Sequence, residues 1–261
     1  GDAGTSTAQN PLHNYTTAGP FNVSLTVTTN NGCTDIRTQQ LTTVYAEPVA
    51  AFNSLPEVCI GSLIGFSDAS TAPGTVVNGW TWDFGDGSPL SNLQNPTHTY
   101  ATAGSYTVTL RVSTLAGCQT VNNVATRTVL VKPLPTASIA GNNTVCLNAP
   151  SPFITFTGAS GTAPFHFSFS VNGGPTQVAV ANSGNTVTVP VPTNTAGTFT
   201  YTLQSVQETA TTGCVQAQTG TAAVIVKPLP TAVFSSGNVV VCRNAPMPQI
   251  TFTGANGTAP Y

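Results

Sequence analysis

The feature that most constrains the fold is a strict alternation of apolar and polar residues that runs into a glycine-rich turn. Trp80, Trp82 and Phe84 fall on one face of a predicted strand, with polar residues between them. Gly-Asp-Gly at residues 85–87 then ends the strand, since Asp-Gly readily supplies the positive φ that tight turns need. The pattern predicts a strand that is buried on one face.

A second stretch, residues 106–112, alternates in the same way. Its inward residues are Tyr106, Val108, Leu110 and Val112. The two aromatic-rich strands are joined through Pro-Thr-His-Thr-Tyr at residues 96–100. Two such strands predict the centre of a β-sandwich, with Trp80, Trp82, Phe84, Tyr106 and Leu110 in its core.

Together these motifs resemble the PKD (polycystic kidney disease) domain. They are WDFGDG at residues 82–87, HTY at 98–100 and GSYTVTLRV at 104–112, within a module of residues 47–132. The resemblance implies an immunoglobulin-like β-sandwich. The sequence also predicts that this module closes with a long last strand, residues 119–131.

The same motifs recur at the start of the chain. QNPLHNY at residues 9–15 matches QNPTHTY at residues 94–100, and Phe21, Val23, Leu25 and Val27 repeat the inward stripe. Residues 1–46 are therefore predicted to be the C-terminal part of a PKD-like module, and the chain is expected to be a window on a longer array.

Two further modules are predicted after residue 132. The sequence KPLPTA occurs at residues 132–137 and again at 227–232, where the prolines suit a short stiff connector. Residues 133–227 lack WDFGDG but keep an aromatic strand with Phe167 at its centre. Residues 228–261 restart that module, so we expect one divergent immunoglobulin-like module and the N-terminal part of another.

The composition limits the functions open to the chain. Charged residues make up 5% of its 261 residues, whereas about 25% is usual in soluble proteins, and the formal net charge is -2. No basic surface for nucleic acid is expected, and no apolar run is long enough to span a membrane. Solubility is expected to come from hydroxyl and amide groups, because 45 residues are threonine.

The six cysteines recur in two contexts. Cys33, Cys118 and Cys214 each follow glycine, and Cys59, Cys146 and Cys242 each follow valine. None has zinc-ligand spacing, so disulfides formed in an oxidising compartment are the favoured interpretation.

Two disulfide pairings compete. One joins Cys59 to Cys118 and Cys146 to Cys214, each within one module. The other joins Cys59 to Cys214 across the linker at residues 132–137 and leaves the remaining four to partners outside the chain. Immunoglobulin-like topology favours the second, because cysteines within one module would lie about a strand length apart, some ~25 Å.

No catalytic constellation is evident. His13 and His98 occupy the same loop position in two modules, which favours a structural role, and His166 lies on the outward face of a strand.

Calcium binding by Asp68, Asp83 and Asp86 is an alternative to their fixing turns through backbone N–H groups. An aromatic sugar-binding platform is an alternative to core packing. No cofactor is predicted.

The array is also similar to the repeated modules of giant cell-surface adhesins and gliding-motility proteins of Bacteroidota. The resemblance implies an extracellular, non-enzymatic stalk exported by the type IX route. Its expected partners are other modules of the same chain, with surface glycans or protein ligands bound by regions outside this one. The alternatives are spacer modules of a secreted polysaccharide-degrading enzyme and a filament-forming surface protein.

Overall fold

The computed structural model of this chain describes residues 2–209, 213–234, 240–246 and 251–256. Every named element in these residues is a β-strand, which confirms the all-β prediction. None of them contains a helix that is long and apolar enough to cross a membrane. The chain divides into two compact units, Gly1–Lys132 and Pro133–Tyr261.

The first module (residues 1–46) contains one antiparallel hairpin. Its strands are β1 (Gly19–Thr28) and β2 (Thr34–Val44). The predicted inward stripe is not buried: Val23, Leu25 and Val27 are 50–60% exposed. The prediction of a buried stripe is wrong for this chain, because nothing in residues 2–46 corresponds to the tryptophan strand that covers the same stripe in the second module.

The second module (residues 47–132) is a two-layer sandwich. Its strands are β3 (Phe52–Asn53), β4 (Glu57–Cys59), β5 (Leu63–Gly65), β6 (Ser67–Asp68), β7 (Val77–Asp83), β8 (Thr97–Thr99), β9 (Gly104–Thr114) and β10 (Ala125–Lys132). One layer has the order β4-β10-β9-β7, with β4 parallel to β10. The other consists of the short antiparallel pairs β3–β6 and β5–β8.

The core of the second module lies between these layers. Trp82 is fully buried, and Phe84 and Leu110 are 3% or less exposed. Trp80 and Tyr106 are partly buried and pack against this core. The inward stripe of β9 is covered by Phe52, Ile64 and Phe66 from the opposite layer.

The last strand of the second module is shorter than the sequence suggested. It begins at Ala125 rather than residue 119, so the predicted strand over 119–131 is wrong in its first half. Residues 121–123 form an irregular segment instead, and their backbone N–H groups all donate to the carboxylate of Glu47. A carboxylate that accepts three adjacent N–H groups favours a turn over a strand ladder.

The third module (residues 133–227) repeats this architecture with more complete sheets. Its strands are β11 (Thr136–Ala140), β12 (Asn143–Cys146), β13 (Phe153–Ala159), β14 (Phe165–Val171), β15 (Gln177–Ala181), β16 (Thr186–Pro190), β17 (Gly197–Glu208), β18 (Val215–Ala217) and β19 (Thr221–Lys227). The layers are β11-β13-β16 and β12-β19-β17-β14-β15, with β18 paired to β17.

Aromatic residues fill the core of the third module. Phe156, Phe165 and Phe167 are fully buried, and Phe169 is 2% exposed. The rings of Phe156 and Phe169 lie 4.9 Å apart. β12 is parallel to β19, just as β4 is parallel to β10.

Residues 228–261, which the sequence predicts to be the start of a fourth module, are described in part. β20 (Thr231–Phe234) and β21 (Phe252–Ala255) pair antiparallel, with Ala232 opposite Gly254. β11 and β13 place Ala137 opposite Gly158 in the same way. The segment GTAPY at residues 257–261, which is similar to GTAPF at residues 161–165, lies outside the described residues.

Candidate functional site

The acidic turn of the second module fixes itself through its aspartates. Asp83 Oδ1 accepts the backbone N–H of Gly85 at 2.9 Å, and Asp86 Oδ1 accepts that of Ser88 at 3.1 Å. Gly85 has φ of +77°, and a Cβ there would lie 2.5 Å from the carbonyl oxygen of Thr107. The turn therefore requires glycine at this position.

The second oxygen of Asp86 pairs with a histidine that the sequence analysis left without a partner. Asp86 Oδ2 lies 2.7 Å from His98 Nε2, and both side chains are less than a fifth exposed. The imidazole stacks on Phe84 with ring centroids 4.1 Å apart and meets Tyr100 edge-on at 4.7 Å. His98 thus links the acidic turn to the aromatic core.

Tyr100 completes this arrangement from the buried side. Its hydroxyl donates to the carbonyl oxygen of Phe84 at 3.1 Å, and its ring stacks on Tyr106 at 4.4 Å. Burial raises the pKa of Tyr100 to about 12, so its hydroxyl stays a donor across the physiological range. We call Phe84, Asp86, His98 and Tyr100 the aromatic–acid brace.

The pKa of Asp86 reflects two opposing effects. Burial disfavours the charged carboxylate and raises the pKa, whereas hydrogen bonds from Ser88 and His98 favour the charged form. The hydrogen bonds prevail, and the pKa falls from 3.8 to about 2. Asp86 is therefore an ionised hydrogen-bond acceptor at neutral pH and has no proton to donate.

The first module contains the same pairing. His13 Nε2 lies 2.8 Å from Asp2 Oδ2, and its ring meets Tyr15 edge-on at 4.8 Å. Tyr15 stacks on Phe21 at 4.5 Å, as Tyr100 does on Tyr106. The signal was present in the sequence, because Asp2 and His13 recur together as Asp86 and His98. A pair that recurs in the first and second modules belongs to the architecture that these two modules share.

The third predicted aspartate is engaged as well. Asp68 Oδ2 accepts the indole N–H of Trp80 at 2.8 Å and the amide of Gln94 at 3.3 Å, and Oδ1 accepts the backbone N–H of Ser70. Burial raises its pKa, but these hydrogen bonds outweigh burial and lower it. The polar edge of Trp80 is thus satisfied while its ring packs on the core.

The geometry favours turn fixation over calcium binding. Asp68, Asp83 and Asp86 each accept the backbone N–H of the residue two positions later. In the described part of the chain, no group of three or more His, Cys, Asp or Glu side chains could hold a metal ion.

Glu47 is a further structural carboxylate that sequence reasoning missed. Its Oε1 accepts the backbone N–H groups of Val121, Asn122 and Asn123, the last two at 2.7 and 3.1 Å. These hydrogen bonds lower its pKa. The bonded groups are more than 70 residues apart in sequence, so no local pattern could have indicated the contact.

The aromatic residues that could have formed a sugar-binding platform are Trp80, Trp82, Phe165, Phe167 and Phe169, and all but the partly buried Trp80 are buried. Trp82, Phe165 and Phe167 are fully buried, and Phe169 is 2% exposed, which leaves no face to a sugar ring. His166 is partly buried on the opposite face of β14. The geometry thus favours core packing for these strands.

An apolar groove lies on the exposed face of the first module. It has a volume of about 540 Å³ and is lined by Tyr15, Val23, Leu25, Arg37, Thr38, Gln39, Gln40 and Leu41. The corresponding face of β9 in the second module is covered by its own opposite layer.

Only two of the six cysteines are oxidised. Cys59 and Cys214 are disulfide-bonded, whereas Cys33, Cys118, Cys146 and Cys242 are free thiols. The pairing of Cys59 with Cys118 and of Cys146 with Cys214 is therefore wrong, because each of those bonds would contain a cysteine that is free.

The strand register shows why Cys59 and Cys118 cannot form a disulfide with each other. Cys59 is opposite Lys132 at the end of β10, level with the start of β9, whereas Cys118 follows the other end of β9. Ten residue steps at about 3.3 Å place the two cysteines ~33 Å apart, and a disulfide requires Cα atoms within about 7 Å.

Comparison with known proteins agrees with this architecture. The PKD domain family model matches residues 1–44 and 45–129. These two segments are PKD domains. The chain is 37% identical to human polycystin-1 over 116 residues, which is 40% of this chain and 2% of that protein.

Two bacterial proteins are also similar. Microbial collagenase of Vibrio alginolyticus is 33% identical over 108 residues, covering 41% of this chain and 12% of the collagenase. The crystal structure of the PKD1 domain of Vibrio anguillarum Epp is 30% identical, covers 34% of this chain and 96% of that domain, and has a TM-score of 0.30. The chain thus spans a small part of the curated relatives that it matches.

Proposed function

We propose that these modules form an extracellular structural and adhesive stalk of a large secreted or surface-anchored bacterial protein. One observation carries the proposal: in the first and second modules, the aspartates and histidines that could do chemistry are used to hold turns. Asp86 with His98, and Asp2 with His13, occupy the same place in successive PKD domains. Repetition of a braced module serves spacing and projection.

The sparse charge supports the same role. Six Lys and Arg and eight Asp and Glu residues are spread over 261 positions. Six of the acidic side chains accept hydrogen bonds from backbone N–H groups: Asp2, Glu47, Asp68, Asp83, Asp86 and Glu208. A surface that depends little on charge is insensitive to changes in ionic strength.

Small-angle scattering of the whole chain tests the proposal. A stalk should add roughly 35 Å per module, if strands of about ten residues run along its long axis. The radius of gyration should therefore exceed the ~18 Å expected of one compact 261-residue domain. Calcium and a chelator should leave the profile unchanged. A compact profile would refute the stalk, and a collapse on chelation would restore Asp83 and Asp86 as calcium ligands.

A second function is favoured by the match to a microbial collagenase, since the matched region is a small part of that enzyme. These modules could then serve as spacers of a secreted degradative enzyme. The sequence that flanks this region discriminates between the two: further modules favour the stalk, and a catalytic domain favours the spacer.

The finer biological context of the proposal is a Bacteroidota surface protein exported by the type IX route, like the gliding-motility adhesins that the sequence resembles. Deletion of the type IX translocon in the source organism should then keep the protein off the cell surface. Surface display that survives the deletion would contradict this context.

The filament-forming alternative has its own test. Filament formation should appear as a concentration-dependent increase in light scattering.

A further inference from the structure

β15 is an outer strand of the third module. It pairs only with β14, from Gln177 opposite Phe169 to Ala181 opposite Phe165. Within the described part of the chain, no other backbone hydrogen bond involves residues 177–181. In an antiparallel pair, alternate residues direct their N–H and C=O groups away from the partner strand. The outer side of β15 is therefore a row of backbone donors and acceptors that no described strand meets.

The side chains of β15 alternate between the core and the outer face. Ala179 and Ala181 face the core, at 7% and 2% exposure, whereas Val178 is 57% exposed. Val180 is partly exposed on the same outer face as Val178. β15 thus combines an unpaired backbone with two valines, which favour pairing with a further strand.

The other outer strands of the third module carry the usual protections against such pairing, which are proline, short length and covering groups. Pro135 directly precedes β11, and Pro190 ends β16. The N–H of Ala137 in β11 also donates to the side chain of Gln218 at 3.2 Å. β12 and β18 have four and three residues. β15 has five residues, no proline, no charged side chain and no irregularity in its register.

Charge does not protect β15 either. Residues 133–227 contain two side chains of the Asp, Glu, Lys and Arg types, Glu208 and Lys227. Glu208 is 1% exposed, and Lys227 ends β19, which β17 and β14 separate from β15. A second copy of this module that approaches β15 edge-on therefore meets no like charge from the module.

The second module closes the equivalent edge. Its strand β7 corresponds to β14, and Ser91 forms a bridge to Trp82 on the outer side of β7. The Trp82 N–H donates to the Ser91 carbonyl oxygen at 2.8 Å, and the Ser91 N–H donates to the Trp82 carbonyl oxygen at 3.1 Å. Asp83 adds a charge at the end of β7. The unprotected edge is thus a property of the third module.

We propose that β15 is a self-association surface, on which the β15 strand of a second copy of this chain pairs antiparallel. A two-fold axis through Ala179 makes the interface identical on both copies and places Val178 of each copy opposite Val180 of the other. This register keeps the alanines on the core face and the valines on the outer face of both strands. The uncharged strand is therefore complementary to itself. The inference does not depend on the stalk function.

Sedimentation velocity of the full chain tests the proposal at protein concentrations up to ~1 mM. A pair of five-residue strands is smaller than a standard interface of about 1,200 Å², so reversible dimers should form toward the upper end of that range. Val178→Lys places a charge beside the edge of each copy and should weaken dimerisation about tenfold. Ile225→Lys is the matched control and should leave dimerisation unchanged, because Ile225 is 42% exposed but lies on β19, which is paired on both sides.

Amide hydrogen exchange followed by NMR identifies the strand that pairs. Exchange within residues 177–181 should slow as the protein concentration rises, whereas exchange in β16 should not change. Urea midpoints of the two lysine variants should match that of the parent chain, since both replaced side chains are exposed. A loss of dimers in Val178→Lys then reports on the edge and not on the fold.

A chain that stays monomeric at ~1 mM would overturn the proposal. So would equal weakening by the two lysine substitutions, or slowed exchange confined to the groove of the first module. Non-reducing electrophoresis in detergent should show monomers, and dimers that persist there would assign the association to free thiols and overturn the proposal as well. Extended scattering from a monomeric chain would leave the stalk standing and refute the self-association surface alone.

Discussion

The second and third modules place equivalent strands in the same order but stabilise them differently. β4, β10, β9 and β7 of the second module correspond to β12, β19, β17 and β14 of the third. The second module joins its core to a charged turn through the aromatic–acid brace. The third module fills the same space with phenylalanines from β13 and β14, and its buried carboxylate, Glu208, accepts the N–H of Thr162.

This difference between the two cores shows that the WDFGDG motif is one way to stabilise the sandwich and that the fold does not require it. In the third module, an alternating strand with three phenylalanines on one face fills the core instead. The charged turn adds a dependence on protonation, because Asp86 and His98 stabilise the second module only while the carboxylate is ionised. Both tryptophans lie in the second module, so intrinsic tryptophan fluorescence reports its unfolding separately.

The largest expected effect is the loss of the central tryptophan. Trp82→Ala should reduce the free energy of unfolding of the second module by about 3–5 kcal/mol, because it opens a cavity in a fully buried site. Phe167→Ala is the matched change in the third module and should have a similar effect there. Urea titrations followed by circular dichroism measure both. A small effect of Phe167→Ala would show that the phenylalanine core does not replace the tryptophan core.

The buried hydroxyl of the brace should have the next largest effect. Tyr100→Phe removes the donor to the carbonyl oxygen of Phe84 and leaves that buried acceptor without its partner, which costs about 1–2 kcal/mol. Tyr201→Phe in the third module is the control, since the structure shows no hydrogen bond donated by the Tyr201 hydroxyl to a described residue. Equal urea midpoints for Tyr100→Phe and the parent chain would refute the brace.

Acid should destabilise the second module more than the third. The pKa of Asp86 is lower in the folded state than the usual 3.8, so its stabilisation is complete above about pH 4 and is lost as the pH falls toward 2. After allowance for screening by solvent, the loss is about 1 kcal/mol. Tryptophan-monitored urea unfolding at several pH values measures it, and Asp86→Asn should make the pH profile shallower, with Asp68 and Glu47 left to supply the remaining acid dependence. An unchanged profile in that variant would assign the acid sensitivity to another group.

The smallest effect is expected on the outer face of β7. Thr81→Ser leaves the hydroxyl in place and removes one methyl group from the face opposite Trp82, so stability should change by less than about 0.5 kcal/mol. Urea unfolding followed by tryptophan fluorescence measures this change in stability. A loss approaching that of Trp82→Ala would mean that the two faces of β7 have been assigned the wrong way round.

Features that depend on sequence periodicity could be predicted. The all-β class, the alternating strands around Trp82 and Phe167, and the turn at Gly85 all follow from local patterns. Gly85 has a φ of +77°. Local chemistry was enough in these cases because strand faces and turn residues are decided within a few positions.

Features that depend on long-range contacts could not be predicted from the sequence. The contact of Glu47 with residues 121–123 joins segments more than 70 positions apart, and it replaced the predicted first half of the last strand. The hydrogen bond between Asp86 and His98 spans 12 positions and was visible only as a repeat of Asp2 and His13. The alternation in β1 correctly marks one face, but exposure of that face depends on strands that residues 2–46 do not contain.

The parallel pairing of the short strands β4 and β12 has a mechanical consequence. β4 lies near the beginning of its module and pairs in register with β10 at the end, from Glu57 opposite Leu130 to Cys59 opposite Lys132. When a pulling force acts on the two ends of such a module, parallel strands slide past each other, so their hydrogen bonds are loaded together in shear. An antiparallel pair at the ends would unzip one bond at a time. The second and third modules should therefore each resist stretching until the module yields in a single step.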